Sequence, residues 1–205
     1  MLVASSVIKH AITVHTFPFS VFIIYPQTPL LSDHTPHVLW SANPKNPVSY
    51  DATLHLASDR GLVLQNVDGT IAWSTNISSD KFVAGLNLTD KCNLQLLDEN
   101  NATIWQSFDH PTDTLVIGQN LVPGQQLTSE GGLFSLSLTT YGLFAYFNFY
   151  PPQPYYSYTF SNSYKISYAQ FQTESFDFIE GNRSFFKIII SSSQYQICYI
   201  YEIWA

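Results

Sequence analysis

Residues 71–76 read Ile-Ala-Trp-Ser-Thr-Asn, and two similar phrases stand on either side of them in the chain. The earlier phrase is Val-Leu-Trp-Ser-Ala-Asn at 38–43, and the later one is Thr-Ile-Trp-Gln-Ser-Phe at 103–108. The tryptophans of the three phrases are 33 and 32 residues apart. A recurrence at such a step is typical of one supersecondary unit copied along a chain, in which no copy can bury its apolar face alone. A buried indole contributes a large apolar area. The pattern therefore predicts that three tryptophans meet in a shared core: Trp40, Trp73 and Trp105.

Short strands and turns surround each phrase. In the first clear copy, strands at 54–56 and 61–65 lead to the turn 66–69, where Asp68-Gly69 is a favoured hairpin pair because glycine accepts positive φ. The same pattern returns 32 residues later, with its turn at 98–101. Weaker copies are expected on both sides, and their parts are the strand Phe19–Tyr25, the enlarged loop Pro26–Pro36, the strands Phe134–Leu136 and Gly142–Tyr146, and Tyr155–Tyr158 in place of a tryptophan phrase. Short strands with turns about every 8–12 residues predict an all-β sandwich, barrel or prism.

The composition limits the possible classes of protein. The chain has 205 residues, of which 45% are hydrophobic, 16% aromatic and only 11% charged, and its formal net charge is −7. This length suits one or two small domains, and the aromatic content favours strands. The negative charge argues against nucleic acid or an anionic membrane as a partner. No apolar run approaches the roughly 20 residues that span a bilayer, so no membrane span is predicted in this chain.

The second half of the chain differs in composition from the first. Residues 106–126 are rich in Asp, Pro, Gly and Thr, and we interpret them as a connector and a domain boundary. The aromatic stretch that follows is interrupted by Pro151, Pro152 and Pro154, which indicates a loop or an edge strand. The tail is expected to form two further strands, Phe185–Ile190 and Gln196–Trp204, joined by a turn at Ser191–Ser193.

Four sequons for N-linked glycosylation are present, at Asn76, Asn87, Asn101 and Asn182. Their number indicates the secretory pathway, although Lys9-His10 interrupts the apolar N-terminus and no clear signal peptide is present. Asn101 falls in a predicted turn that would tolerate a glycan, whereas Asn87 falls in a predicted strand. The two cysteines, Cys92 and Cys198, either pair with each other or remain two free thiols, and their spacing predicts no zinc site.

These residues resemble a known family. The phrases at 38–43 and 69–76 are similar to the plant bulb-type lectin domain, and Ala102–Leu115 is similar to the end of that domain in G-type lectin S-receptor-like kinases and S-locus glycoproteins. The resemblance implies an all-β fold, the β-prism of three short sheets around a pseudo-threefold axis, followed by a second, incomplete lectin-like unit. It implies three parts of the chain: a divergent or truncated N-terminal part at 1–37, the bulb-type lectin domain at 38–128, and the second unit at 129–205.

The resemblance also implies sites for a mannose-type glycan. Family members bind the sugar with the pattern Gln-x-Asp-x-Asn-x-Val-x-Tyr, whose alternate residues are expected to share one face of a strand. We call each aligned nine-residue stretch a frame. Frame 57–65 keeps Asp59 and Val63, frame 89–97 keeps only Asn93, and frame 138–146 keeps only Tyr146. Because no frame keeps its Gln, Asp and Asn together, the resemblance implies degenerate carbohydrate-binding sites.

No catalytic chemistry is predicted. The cluster Asp109-His110-Pro111-Thr112-Asp113 is typical of a turn and lacks a nucleophile motif, and the glycine-rich, His-Arg-Asp and Asp-Phe-Gly signatures of kinases are absent from the sequence. We therefore expect no catalytic residue, no metal site and no cofactor. The tyrosines 155, 156 and 158 either pack within the second unit or form an exposed platform for sugars or a protein.

Two readings of the function remain open at this stage. The first is a non-catalytic lectin module of a plant extracellular or receptor-like protein, which binds a mannose-type glycan or a cell-surface protein. The second is a protein-interaction module without sugar binding, such as a receptor decoy or a dimerisation module, and the chain could be a truncated receptor fragment. Both readings place the protein outside the cell or at the cell surface, and a dimer is compatible with both.

Overall fold

The computed structural model describes residues 12–14, 21–25, 37–161, 164–173, 175–189 and 197–199. The chain divides into two compact units, Met1–Ser107 and Phe108–Ala205. In the described residues both units are built from antiparallel strands, with two short 3-10 helices at Ser107–Asp109 and Glu130–Gly132. The predicted all-β class is therefore confirmed. The division falls at the start of the predicted connector, because residues 114–116 and 120–121 of that connector pair with strands of the second unit.

In its described residues the first unit contains three three-stranded antiparallel sheets, each made of consecutive strands. Their strands are β1 (Ile12–Val14), β2 (Val21–Tyr25), β3 (His37–Ser41), β4 (Thr53–Ala57), β5 (Gly61–Gln65), β6 (Ile71–Ser74), β7 (Gly85–Leu88), β8 (Leu94–Leu97) and β9 (Thr103–Gln106). The middle strands of the second and third sheets both supply buried leucines, and in the third sheet Leu94 and Leu96, at 0% exposure, alternate with outward residues. The strand predicted at Phe19–Tyr25 corresponds to β2.

Three indole rings meet at the core of the first unit, one from the third strand of each sheet. The ring centroid of Trp40 lies 5.8 Å from that of Trp73 and 5.9 Å from that of Trp105, and the third separation is 6.1 Å. All three pairs are edge-to-face, with interplanar angles of 68° to 74°. This arrangement places the positive edge of each indole against a negative ring face, which aromatic pairs prefer to a direct stack. The predicted meeting of the tryptophans is confirmed.

The same β-bulge sets the position of each tryptophan. In the second sheet Leu64 pairs with Trp73, but the next residue, Gln65, pairs with Ile71, so Ala72 is an extra residue. In the first and third sheets the pairing register shifts at the same point, beside Trp40 and Trp105. A bulge breaks the strict alternation of side chains. Consequently Ala72 and Trp73, although adjacent in sequence, both pack against the core.

Short hydrogen-bonded turns close the hairpins of the second and third sheets. The amide of Gly69 donates to the carbonyl of Asn66 at 3.0 Å, and Asn101 makes the equivalent bond to Asp98 at 3.1 Å. Gly69 has φ of 85° and Asn101 has φ of 61°, so both occupy the left-handed region that glycine and asparagine tolerate best. The turns predicted at 66–69 and 98–101 are therefore present, and one conformational requirement is met by two different residues.

The second unit contains two four-stranded sheets and one two-stranded sheet, all antiparallel, and their strand orders are β12-β13-β14-β15, β11-β16-β17-β18 and β10-β19. The strands are β10 (Thr114–Val116), β11 (Asn120–Leu121), β12 (Gln126–Thr128), β13 (Phe134–Thr139), β14 (Gly142–Phe147), β15 (Gln153–Thr159), β16 (Tyr168–Phe171), β17 (Ser175–Glu180), β18 (Arg183–Ile189) and β19 (Ile197–Tyr199). The proline-interrupted stretch ends in β15, which is an edge strand as predicted. Of the two predicted tail strands, the first overlaps β18, which begins two residues earlier at Arg183, and the second contains β19.

The bulge of the first unit recurs in both four-stranded sheets. Ala145 pairs with Tyr156, and the next residue on β14 pairs with Pro154, so Tyr155 is the extra residue. Phe178 pairs with Phe186 in the same way. Tyr156 and Phe186 both pack against the core of the second unit. An aromatic residue thus occupies the tryptophan position in each of these sheets, and the sequence pattern had located only the first of them.

Several sequence predictions fall on residues that lie outside the described part of the chain. These are the apolar N-terminus Met1–Val7, the loop Pro26–Pro36, the turn Ser191–Ser193 and the side chain of Cys198.

Replacing Trp105 with alanine is expected to destabilise the first unit by about 3–5 kcal/mol, because the change removes a buried ring that contacts two others. Denaturant unfolding followed by far-ultraviolet circular dichroism would measure the loss. The control is Val67→Ala, a turn residue that is 63% exposed and should change stability by no more than about 0.5 kcal/mol. Equal effects of the two changes would contradict a core built on the indole contacts.

Candidate functional site

Each of the three candidate frames bends around a hairpin. In frame 57–65, Ala57 ends β4 and pairs directly with Gly61 at the start of β5, so Asp59 lies in the turn between them. The other two frames bend at the same point, where Leu88 pairs with Leu94 and Thr139 pairs with Gly142. The expectation that the alternate residues of a frame share one strand is therefore wrong for this chain. In each frame the second position lies in the turn, and the last two positions lie on the strand that follows it.

In the first frame, the two residues that match the family pattern have opposite environments. The side chain of Asp59 is 64% exposed, and one carboxylate oxygen lies 3.8 Å from Nε of Arg60. An exposed pair at this distance contributes little to stability. Val63 is only 4% exposed, between His55 and Ser74 on the neighbouring strands. Asp59 is thus accessible to a ligand, whereas the apolar surface of Val63 is not.

Gly61 occupies the frame position at which the family pattern has asparagine. Its φ is 73°, and a Cβ atom added there would lie 2.2 Å from Oγ1 of Thr75. That hydroxyl accepts a hydrogen bond from the amide of Leu62 at 3.1 Å and donates to the carbonyl of Arg60 at 3.3 Å. The space that a side chain would need is therefore occupied by a group that ties β5 to the residues following β6.

The equivalent residue of the second frame, Asn93, is present but buried at 7% exposure. Its Nδ2 donates to Oε1 of Gln106 at 2.9 Å, and its Oδ1 accepts from Oγ of Ser107 at 3.3 Å. Ser107 also accepts from the amide of Leu94 at 3.0 Å, which repeats the role of Thr75 in the preceding sheet. Asn93 therefore joins β8 to the end of β9 through both ends of its amide group.

The third frame lies in the second unit. Tyr146 is half-buried on β14, where it follows the bulge and pairs with Ser135 and Pro154. Gly142 holds the asparagine position of this frame, and an added Cβ would lie 2.2 Å from the carbonyl oxygen of Tyr158. Two of the three frames thus carry glycine at the same position for the same reason, a close approach of neighbouring atoms.

The predicted binding residues belong to three different sheets. Asp59 and Val63 lie on the hairpin of β4 and β5, Asn93 immediately precedes β8, and Tyr146 lies on β14. This distribution over three sheets is expected if each frame is a separate copy of one site.

All four sequon asparagines are exposed. Asn76 follows β6 with φ of 47°, Asn101 lies in the turn before β9, and Asn182 lies in the turn between β17 and β18. Asn87 lies within β7, as predicted, but β7 is an edge strand and the side chain faces outward. Each of these side chains is therefore sterically open to modification.

The cysteine and the acidic cluster singled out in the sequence have ordinary structural roles. Cys92 is a free, half-buried thiol in the left-handed conformation, with φ of 61°. Burial raises its pKa, and the neighbouring Asp90 carboxylate raises it further. In the other cluster, the Asp113 carboxylate accepts a hydrogen bond from the hydroxyl of Thr114 at 3.0 Å, as in a turn.

Two absences concern the described residues alone. Among them, no group of three or more His, Cys, Asp or Glu is placed to hold a metal ion. A separate search of the same part of the chain finds no helix with the length and apolar character needed to cross a membrane.

Sequence reasoning missed a polar row on the outer face of the third sheet. Asn87 pairs with Gln95, and Gln95 pairs with Gln106, so three amides lie side by side across β7, β8 and β9. The alternation of buried Leu94 and Leu96 with outward Gln95 was a signal for this face. The pairing of residues on three different strands could not be read from their spacing alone.

Comparison with known proteins relates the chain to plant lectins. Residues 37–135 match the family described as D-mannose binding lectin. The chain is 35% identical over 164 residues to the epidermis-specific secreted glycoprotein EP1 of Daucus carota, and this alignment covers 75% of the chain and 42% of EP1. It is 41% identical over 93 residues to a G-type lectin S-receptor-like serine/threonine-protein kinase of Arabidopsis thaliana, and this alignment covers 45% of the chain and 11% of the kinase. The predicted resemblance to bulb-type lectins is confirmed.

A solved structure and the lengths of the relatives complete the comparison. The fetuin-binding Scilla campanulata agglutinin, described as a two-domain lectin, is 18% identical with a TM-score of 0.33, over 77% of this chain and 70% of the agglutinin. The matched part of the chain spans less than half the length of the two sequence relatives named above.

Replacing Gly61 with alanine is expected to destabilise the first unit more than replacing Gly69 does. Both residues have positive φ, which costs a side chain about 1–2 kcal/mol, but only at Gly61 would the new Cβ also meet an atom at 2.2 Å. At Gly69 the nearest atom is 3.7 Å away. Denaturant unfolding of the two variants measures the difference, and equal losses would contradict the proposed contact with Thr75.

Alkylation of Cys92 by iodoacetamide is expected to have its half-maximal rate at a higher pH than alkylation of a free cysteine. Only the thiolate reacts, and burial together with Asp90 raises the pKa of this thiol. Mass spectrometry of the peptide that contains Cys92 would follow the reaction. The change Asp90→Asn should move the midpoint partly back, and a wild-type midpoint at or below that of free cysteine would contradict the burial.

Proposed function

We propose that this chain, which contains a lectin domain of the D-mannose binding family at residues 37–135, is a non-catalytic recognition module that acts outside the cell. The matched family is described as D-mannose binding lectin, which supports a role in recognition. A carrot relative is described as a secreted glycoprotein, and four exposed sequons on this chain support the same placement. The role implied is to hold a partner at the cell surface or in the extracellular space.

The mannose frames of this chain are proposed to be degenerate. The observation that carries this conclusion is the state of the asparagine position: Gly61 and Gly142 have no room for a side chain, and Asn93 is buried in a network with Gln106 and Ser107. A ligand hydroxyl would have to displace existing hydrogen bonds at Asn93 and would find no amide at the other two positions. Each lost bond weakens binding by about 0.5–1.5 kcal/mol.

The preferred partner is therefore a protein rather than a mannose-type glycan. Scattered exposed apolar side chains, such as Tyr50 at 74% and Phe82 at 63%, are compatible with a protein contact. Sugar binding is the second candidate, because the family match extends over both first-unit frames and Asp59 remains accessible. A dimerisation or decoy role belongs to the protein-binding reading.

A glycan array with the purified chain is expected to give signals for mannose-terminated glycans near background. Loss of two polar partners raises the dissociation constant by about 10- to 100-fold relative to an intact site of this pattern. Competition with free mannose should leave any protein partner bound in a pull-down from the plant cell surface.

The matched variants for this test are Asp59→Ala and Asp51→Ala. Both aspartates are exposed turn residues of the first unit, but only Asp59 lies in a frame. Neither change should alter the array. Mannose-inhibitable binding that Asp59→Ala abolishes and Asp51→Ala preserves would overturn the degenerate-frame proposal and support the sugar-binding candidate.

A further inference from the structure

The outer face of the third sheet carries a row of amide side chains. Leu94 and Leu96 are fully buried, and therefore Gln95 between them points away from the core. Asn87 flanks Gln95 on β7, and Gln106 flanks it on β9. Oε1 of Gln95 already accepts a bond at 3.2 Å and Oε1 of Gln106 accepts one at 2.9 Å, but an amide oxygen has two lone pairs and can accept a second bond from a polar ligand lying across the strands.

Of the two clear copies of the repeat, which form the second and third sheets, only the third sheet carries this row of amides. The residues at the same positions of the second sheet are His55, Val63 and Ser74, in the same pairing across β4, β5 and β6. The central position has thus changed from a buried apolar side chain in one copy to a half-buried amide in the other. This difference requires an explanation specific to the third sheet.

Asn87 is both the first member of the row and a sequon asparagine. Its Nδ2 donates a hydrogen bond to Oε1 of Gln95 at 3.2 Å, and Nδ2 is the atom to which an N-linked glycan attaches. The sequon continues to Thr89, which is the first position of the second frame and whose hydroxyl accepts from the amide of Asn93 at 3.1 Å. A glycan at Asn87 would therefore begin at the edge of the frame itself.

We propose that the amide row seats the proximal sugar of a glycan carried by Asn87, so that the chain's own glycan covers the second frame. In the modification, Nδ2 forms a bond to the anomeric carbon of a lipid-pyrophosphate-linked sugar, the bond between that carbon and the pyrophosphate oxygen breaks, and one of the two Nδ2 protons passes to solvent while the lipid pyrophosphate leaves as an anion. The remaining hydrogen keeps the bond to Gln95. The hydroxyl and acetamido groups of the attached sugar then lie over Gln95 and Gln106, and external ligands are excluded from the frame.

This inference rests on the extracellular placement proposed above, and two preparations of the full chain separate the two claims. One is the protein as the plant cell makes it, detected with an antibody raised against this chain, and the other is the chain fused to a secretory leader. Absence of the first from the extracellular fraction counts against the proposed function. The inference itself is tested on the second, by mass spectrometry of the glycopeptides.

The test measures how fast peptide-N-glycosidase releases each glycan from the folded protein. We expect Asn87 to be modified and its glycan to be released about fivefold more slowly than that of Asn182. One net hydrogen bond is worth about 1 kcal/mol, which reduces the population of the accessible glycan by about this factor. Asn182 lies in an exposed turn of the second unit. Gln95→Ala should remove the difference, whereas Gln65→Ala, a half-buried glutamine of β5, should preserve it.

Two results would overturn the inference. The first is an unmodified Asn87 in a secreted chain whose Asn182 is modified. The second is a release rate at Asn87 that is the same in the wild type and in Gln95→Ala. An unchanged rate at Asn182 in the Gln95 variant, together with an unchanged circular dichroism spectrum, verifies that the substitution leaves the fold intact.

Discussion

The contact among three indole rings is the constraint on which the first unit depends. Each ring comes from the last strand of a different sheet, and the centroids lie within about 6 Å of one another. A bulge beside each tryptophan turns two consecutive side chains to the same face and so fixes which residues of the strand are buried. Once the inward residues are fixed in this way, those that point outward are free to differ from copy to copy.

The residues that the family pattern assigns to ligand binding lie next to the bonds that close each hairpin. Thr75 and Ser107 hold the start of a middle strand through its backbone amide, and the frame asparagine position is directly beside them. In this chain that position has joined the internal hydrogen-bond network or has lost its side chain. The proposed loss of mannose binding thus has a structural cause: the atoms that hold each hairpin together occupy the space that a sugar-binding side chain would need.

Much of the fold was readable from the sequence because its signals are local. The tryptophan spacing, the Asp68-Gly69 turn and the alternation along β8 depend on residues close together in the chain. The bulges, the aromatic role of Phe186 and the amide row depend on pairing between strands, which spacing alone does not specify. Asn93 illustrates the limit at the site, since its identity matches a sugar-binding position of the family pattern but does not reveal that its side chain is buried.

The copies differ most at the tips of their hairpins. Five residues separate β5 from β6 and five separate β8 from β9, but eleven separate β2 from β3, although all three pairs share one register. Closing a loop twice as long costs only about 0.6 kcal/mol, which is small beside the packing of the strands. The hairpin of β2 and β3 therefore keeps the register of the other two sheets across a connection about twice as long, so the pairing of its strands does not depend on a short turn.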